Sequence, residues 1–197
     1  MKKSKGKNEK QLLEIPEEFF SFSENAPFTN CLVCNKELRK NSITYFIEKA
    51  IKKYIEFDTE DVIFEYAICM DCAMTMQKSF SKKSLLKIFK YMSSNMKLGK
   101  RREILENDKS IESRISECII KATPKQELSE YQIAAQCIGD KIIVSEFPYL
   151  ISGEAMDEIA DLISNKTLDQ MNRFKNKFFT PPSELEDLFK DKKLMFV

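Results

Sequence analysis

Two C-x-x-C turns, Cys31-Leu-Val-Cys34 and Cys69-Met-Asp-Cys72, constrain this chain more than any other feature. Each turn offers two thiolates at adjacent corners of a tetrahedron, and two turns complete the four-sulfur shell that zinc takes at about 2.3 Å. Residues 35–68 separate the pairs, more than the roughly 15–20 residues of a compact ribbon. The insert must therefore be structured, and it must bring the chain back to its starting point. Four thiolates fill the tetrahedron and leave no position for water, so the expected cofactor is one structural zinc ion held by Cys31, Cys34, Cys69 and Cys72. Its formal charge of −2 calls for compensation, from Lys36 or from the start of a helix near Cys72. The competing readings are a redox dithiol, which leaves the second pair unexplained, and unliganded thiols. An iron–sulfur cluster usually shows three closely spaced cysteines plus a remote one, which this chain lacks.

Hydrophobic periodicity supplies the returning path. Ile43, Tyr45, Ile47, Ile51, Ile55 and Phe57 alternate as in a strand, although Ile47, Ile51, Tyr54 and Ile55 also fit a helix. Strand is the favoured reading. Val62, Phe64, Tyr66 and Ile68 alternate more cleanly and form the return strand, which ends at Cys69. The second cysteine pair opens a helical region in which Ser81 is an N-cap and Leu85, Ile88, Phe89, Met92 and Met96 form the expected buried stripe.

The order cysteine turn, hairpin, then cysteine pair at a helix start resembles the treble-clef class of zinc fingers over about residues 29–80. Cys31-Leu-Val-Cys34 takes the place of the knuckle, and Cys69-Met-Asp-Cys72 that of the helix-start pair. The resemblance implies a local fold and transmits no function. Members of the class that cut nucleic acid use histidines, and this chain has none.

Beyond the pattern break at Gly99–Arg102, a helix is expected over Ser110–Lys121 with Ile111, Ile115, Cys118 and Ile119 inward. Tyr131, Ile133, Ala135 and Cys137 then alternate, Gly139-Asp140 turns the chain, and residues 141–151 return, with Pro148 marking an edge or a bend. Ser152 caps a helix carrying Met156, Ile159, Ala160 and Ile163. Thr167 with Gln170 and Ser183 with Glu186 form capping boxes for two more. Cys118 and Cys137 each sit on an apolar face and are expected to pack as small hydrophobes. No internal repeat with a period of about 20–50 residues is visible.

The fold class is thus α+β: an N-terminal four-cysteine finger with a β-hairpin and a basic helix, then an α+β half with one hairpin and several C-terminal helices. The expected organisation is a disordered basic tail over residues 1–14, a zinc-finger subdomain over 15–100 and an acidic subdomain over 101–197.

Absences narrow the function. Without histidine, Ser-His-Asp triads, Cys-His pairs and HExxH sites are excluded. The four glycines are scattered, so neither a P-loop nor a dinucleotide fingerprint can be written. No apolar run approaches the roughly 18 residues of a membrane span, and a basic start without a following apolar stretch is not a signal peptide. The expectation is a cytoplasmic, non-catalytic, zinc-stabilised binding protein whose partner is another protein or a second copy of itself. Phe178-Phe179-Thr180-Pro181-Pro182 offers a docking surface if it does not close the core.

The formal net charge is +1, yet residues 1–102 hold 20 Lys and Arg against 13 Asp and Glu, and residues 103–197 hold 12 against 18. The run Lys78, Lys82, Lys83, Lys87, Lys90, Lys97, Lys100, Arg101, Arg102 contains no acidic residue. It supports a second reading, nucleic-acid binding through Lys83, Lys87, Lys90, Arg101 and Arg102, with Tyr45, Phe46, Tyr54, Phe64 and Tyr66 as stacking rings. A third reading is an enzyme, either a C-x-x-C dithiol oxidoreductase or one using carboxylates such as Glu146 and Glu154.

Overall fold

The alternating stretches on either side of Asp58 form a long antiparallel hairpin in the computed structural model, which describes residues 11–96, 108 and 110–179. Strand β2, Thr44–Tyr54, pairs with β3, Thr59–Cys69, and the strand reading of this ambiguous region holds. Its other edge pairs along nearly its whole length with β4, Glu130–Ile138. Strand β4 in turn receives two short strands end to end, β5 (Lys141–Val144) and β6 (Tyr149–Ser152), so the return strand is broken around Pro148, where the sequence placed a bend. Strand β1, Gln11–Glu14, completes the six-stranded sheet by pairing with β5. A disordered tail reaching residue 14 is therefore corrected at its end: the Leu12-Leu13 pair gives these residues apolar side chains to lay against a sheet edge.

Both faces of the sheet are covered. Glu48 and Lys49 are neighbours on a strand and point to opposite faces, yet both are buried. On one face Phe64 and Tyr66 meet Phe179, with ring centroids 5.9 Å apart in each case, and Tyr66 meets Phe174 at 5.7 Å. On the other, Lys49 Nζ donates to the Phe20 carbonyl at 2.7 Å and lies 3.3 Å from Glu65. Strands from either side of residue 100 share this sheet and a single buried cluster. Regions 15–100 and 101–197 are thus interleaved, and most of the boundary between them lies outside the described residues.

Helices α1 (Met70–Ser79) and α2 (Lys82–Asn95) follow β3, and α4 (Gly153–Leu162) and α5 (Asn165–Phe179) follow β6. Two sequence-level caps are present: Ser81 Oγ accepts from the Ser84 N–H, and Ser152 Oγ from the Ala155 N–H. The Thr167 cap is not. Helix α5 starts earlier, at Asn165, and Thr167 is fully buried inside it, bonded to Ser84. The Ser183 capping box lies outside the described residues.

Two further expectations are corrected. The stripe on α2 is only half buried, and Phe89 stands 70% exposed, because α2 lies at the periphery. Over 110–121 only α3, Ile111–Arg114, is helical. Beyond it the backbone is drawn to the sheet instead: Cys118 bridges to Leu150, and the Ile119 N–H donates to the Leu150 carbonyl at 2.8 Å. Ile111, Ile115, Cys118 and Ile119 are nevertheless buried as expected.

Candidate metal centre

The first cysteine pair is shaped by a small loop. The Cys31 N–H donates to the Lys36 carbonyl and the Asn35 N–H to the Cys31 carbonyl, both at 2.9 Å, while the Leu38 N–H closes on the Thr29 carbonyl at 2.8 Å. Asn35 takes the left-handed conformation, φ 57°, which Asn tolerates better than most side chains. The Leu32 N–H donates to the Ala67 carbonyl at 2.9 Å and lays the loop against the end of β3. The second pair is shaped by the strand-to-helix junction: Cys69 is the last residue of β3 and the N-cap of α1, and Cys72 lies in the first turn.

These two local solutions bring four sulfurs together. All four Sγ atoms lie within 4.8 Å of one another, and Cys34 Sγ is 3.8 Å from Cys69 Sγ. Four sulfurs at about 2.3 Å from a central ion stand about 3.8 Å apart along the tetrahedron edges. The cluster thus has the size of a four-thiolate metal shell, and the residues present fit one ion. Among the described residues no other set of His, Cys, Asp or Glu side chains forms such a group.

The surroundings favour thiolate at one corner. Burial opposes ionisation of Cys31, but N–H groups of Cys69, Cys34 and Val33 aimed at it outweigh that effect and bring its pKa down to about 7. The Cys69 N–H contact is 3.3 Å. Burial pushes the Cys69 and Cys72 thiols up, so a metal ion must displace protons there to bind. Cys31 and Cys69 are buried, Cys72 is half-buried and Cys34 exposed, which sets the centre at the surface with its inner side closed. Lys36 does not cap the sulfurs directly. It pairs with Asp71 at 2.7 Å, tying the first loop to α1 across the outside of the cluster.

Other expected site residues are dispersed. Lys83, Lys87 and Lys90 are exposed on one side of α2, and Arg101 and Arg102 lie outside the described residues. Tyr45, Phe64 and Tyr66 are buried and belong to the core, so they cannot stack bases; packing on both sheet faces claims them. Cys118 and Cys137 are buried apart from the cluster, and burial pushes Cys137 up to about 12. Phe178 and Phe179 are half-buried, and Phe179 closes over β3. Glu154 is an ion-pair partner of Lys121 at 3.0 Å.

Two polar arrangements join residues that no local sequence pattern links. Tyr66 Oη donates to the buried Glu48 carboxylate at 2.6 Å; the signal was a Glu-Lys pair in the middle of the otherwise apolar stretch Tyr45–Ile51. Ser81, Ser84, Ser164 and Thr167 form a hydroxyl cluster between the starts of α2 and α5.

Comparison with protein-family models, curated proteins and solved structures finds no match to this chain. No helix among the described residues is long and apolar enough to cross a membrane.

Proposed function

We propose that the cluster is a structural zinc site, that residues 29–80 form a treble-clef-like finger, and that the protein is a non-catalytic binding protein of a reducing compartment. The observation that carries this reading is the convergence of four sulfurs, from segments far apart in sequence, at the spacing of a tetrahedral shell. Zinc is favoured over other ions because four thiolates in a tetrahedron suit a soft ion without geometric preference of its own. A structural role follows because a fourth sulfur takes the position where a catalytic ion would hold water.

Replacing the metal with cobalt tests the site. Four-thiolate coordination should give intense visible d–d absorption together with sulfur-to-metal charge transfer, both weakened and shifted in Cys34→Ser, which keeps three thiolates, and lost when Cys31→Ser is added to it. Absence of tetrahedral cobalt absorption in the wild-type chain would refute the site.

One observation favours an anionic partner. The exposed arc of α2 carries Lys82, Lys83, Lys87 and Lys90 around two large apolar side chains, Leu86 at 68% and Phe89 at 70% exposure. Lysines that reach phosphates beside a ring able to stack a base are the ingredients of sequence-tolerant nucleic-acid binding. This second reading keeps the nucleic acid and replaces the buried tyrosines with Phe89.

A further inference from the structure

The chain beyond Cys118 retraces the chain beyond Cys31. The Cys118 N–H donates to the Thr123 carbonyl and the Ala122 N–H to the Cys118 carbonyl, as Cys31 does to Lys36 and Asn35 to Cys31. Ala122 has φ 57°, the same left-handed value as Asn35, although an alanine Cβ makes that conformation costly. The Ile119 N–H reaches the Leu150 carbonyl as that of Leu32 reaches Ala67. The Ser152 N–H donates to Cys118 Sγ at 3.3 Å, matching the 3.3 Å contact of the Cys69 N–H with Cys31 Sγ.

The likeness continues through the strands and helices. Tyr45 pairs with Cys69 and Ile47 with Ala67; Tyr131 pairs with Ser152 and Ile133 with Leu150. Cys69 caps α1 and Ser152 caps α4, and both helices are 10 residues long. Ser81-Lys-Lys-Ser84-Leu85 then corresponds to Ser164-Asn-Lys-Thr167-Leu168, at the same spacing from each cap residue. The two copies face each other about an approximate two-fold axis. The Ser81 N–H donates to Thr167 Oγ1 at 3.0 Å, and reciprocally the Ser164 N–H donates to Ser84 Oγ at 2.9 Å.

We infer that the chain is an internal duplication whose second copy holds a latent, metal-free counterpart of the four-cysteine centre, at Cys118, Lys121, Ser152 and Ala155. Lys121 stands where Cys34 stands, Ser152 where Cys69 stands and Ala155 where Cys72 stands, while Cys118 matches Cys31. A metal in the first copy fastens the cysteine loop to the helix start. In the second, Lys121 does this with charge: its ammonium lies 3.0 Å from Glu154, the counterpart of Asp71, and pairs with Glu158, which also accepts from Tyr91 of α2. Three of the four positions carry small, buried side chains, with Cys118 at 1%, Ser152 at 2% and Ala155 at 0% exposure, and two of those three, Ser152 and Ala155, offer no thiolate. The repeat exceeds the periods of about 20–50 residues at which solenoid and propeller units recur, and it survives in geometry more than in residue identity.

The ligand class of the restored site is a thiophilic divalent cation, and this inference rests on reading the first centre as a metal site. The test replaces Lys121→Cys, Ser152→Cys and Ala155→Cys together and measures zinc per chain in wild type and variant, with circular dichroism to establish folding. The wild-type value tests the first centre; the difference between the two chains tests the duplication. An increment of one zinc per chain is expected. A folded variant with no increment overturns the inference. Because Ala155 is tightly enclosed, Lys121→Cys with Ser152→Cys alone is the companion variant: three thiolates and an open position should add one cobalt per chain with sulfur-to-metal charge transfer, and failure of the folded companion to bind counts equally against it.

Discussion

The backbone N–H of Cys69 donates to the sulfur of Cys31 across 3.3 Å. This bond ties the strand-to-helix junction to a loop that lies far earlier in the sequence, and it is aimed at the atom that would ligate a metal. The site is thereby half assembled by the backbone. The sheet beneath it has its own buried core, so metal loss should loosen the cysteine loop before it unfolds the strands.

Chelation is therefore expected to act unevenly. Amide protons of Leu32, Asn35 and Leu38, bonded within or beneath the loop, should lose protection from hydrogen exchange by at least about tenfold. Those of β2 and β4, paired in the centre of the sheet, should change much less. Exchange with and without a strong chelator, resolved by residue, measures both; equal loss in both regions would show that the metal holds the whole fold.

The hydroxyl cluster makes a separate prediction. Ser84→Ala removes the acceptor of the partly buried Ser164 N–H, and the cost of about 1–3 kcal/mol for a fully buried donor without a partner is the upper bound on the loss. Thr167→Val removes the acceptor of the Ser81 N–H in the same way. Urea unfolding of the singles and the double should give a coupling energy of roughly 0.5 kcal/mol or more, since both belong to one network. Strict additivity would mean that the two helix starts are stabilised independently.

Alkaline pH probes the core. Tyr66 is held well above the ordinary value by burial and by the Glu48 carboxylate it bonds, and burial likewise raises Tyr45 and Tyr131. A group whose folded pKa exceeds its unfolded value of about 10 stabilises the fold fully below that pH and less as pH rises through the interval. Stability should thus fall above about pH 10, with phenolate absorbance from these three tyrosines appearing together with loss of circular dichroism. Phenolate formation from all six tyrosines in a chain still folded would contradict it.

The basic arc of α2 is tested by Lys83→Glu, Lys87→Glu and Lys90→Glu in one chain. These side chains are exposed, and unfolding stability should change by no more than about 0.5 kcal/mol per site. Retention of single-stranded nucleic acid at low salt should be lost, and in wild type it should fall steeply with added salt. Undiminished binding in the triple variant would move the contact elsewhere.

Much of the site was legible because its signals are local. C-x-x-C spacing, the alternation of Val62 to Ile68, the Ser81 and Ser152 caps and the break at Pro148 each depend on a few neighbouring residues, and each stands where the sequence put it. What failed depends on distant partners. Residues 115–121 have a helical pattern of buried side chains, but the open edge offered by Leu150 takes their backbone. Phe89 fits the stripe of α2 by spacing, yet it stands 70% exposed because no described residue packs over it. Thr167 has a cap's sequence, and a hydroxyl from α2 claims its side chain. The duplication was hidden for the same reason, since loop and register geometry carry it while three of the four cysteine positions have changed identity.

Metal content tests the central claim most directly. Protein purified without added metal should carry about one zinc per chain, and a strong chelator should remove it and lower the unfolding temperature. A chain that contains no metal, binds none at stoichiometric zinc and unfolds identically with and without chelator would contradict the account, leaving the Cys31 and Cys69 pairs as reactive dithiols.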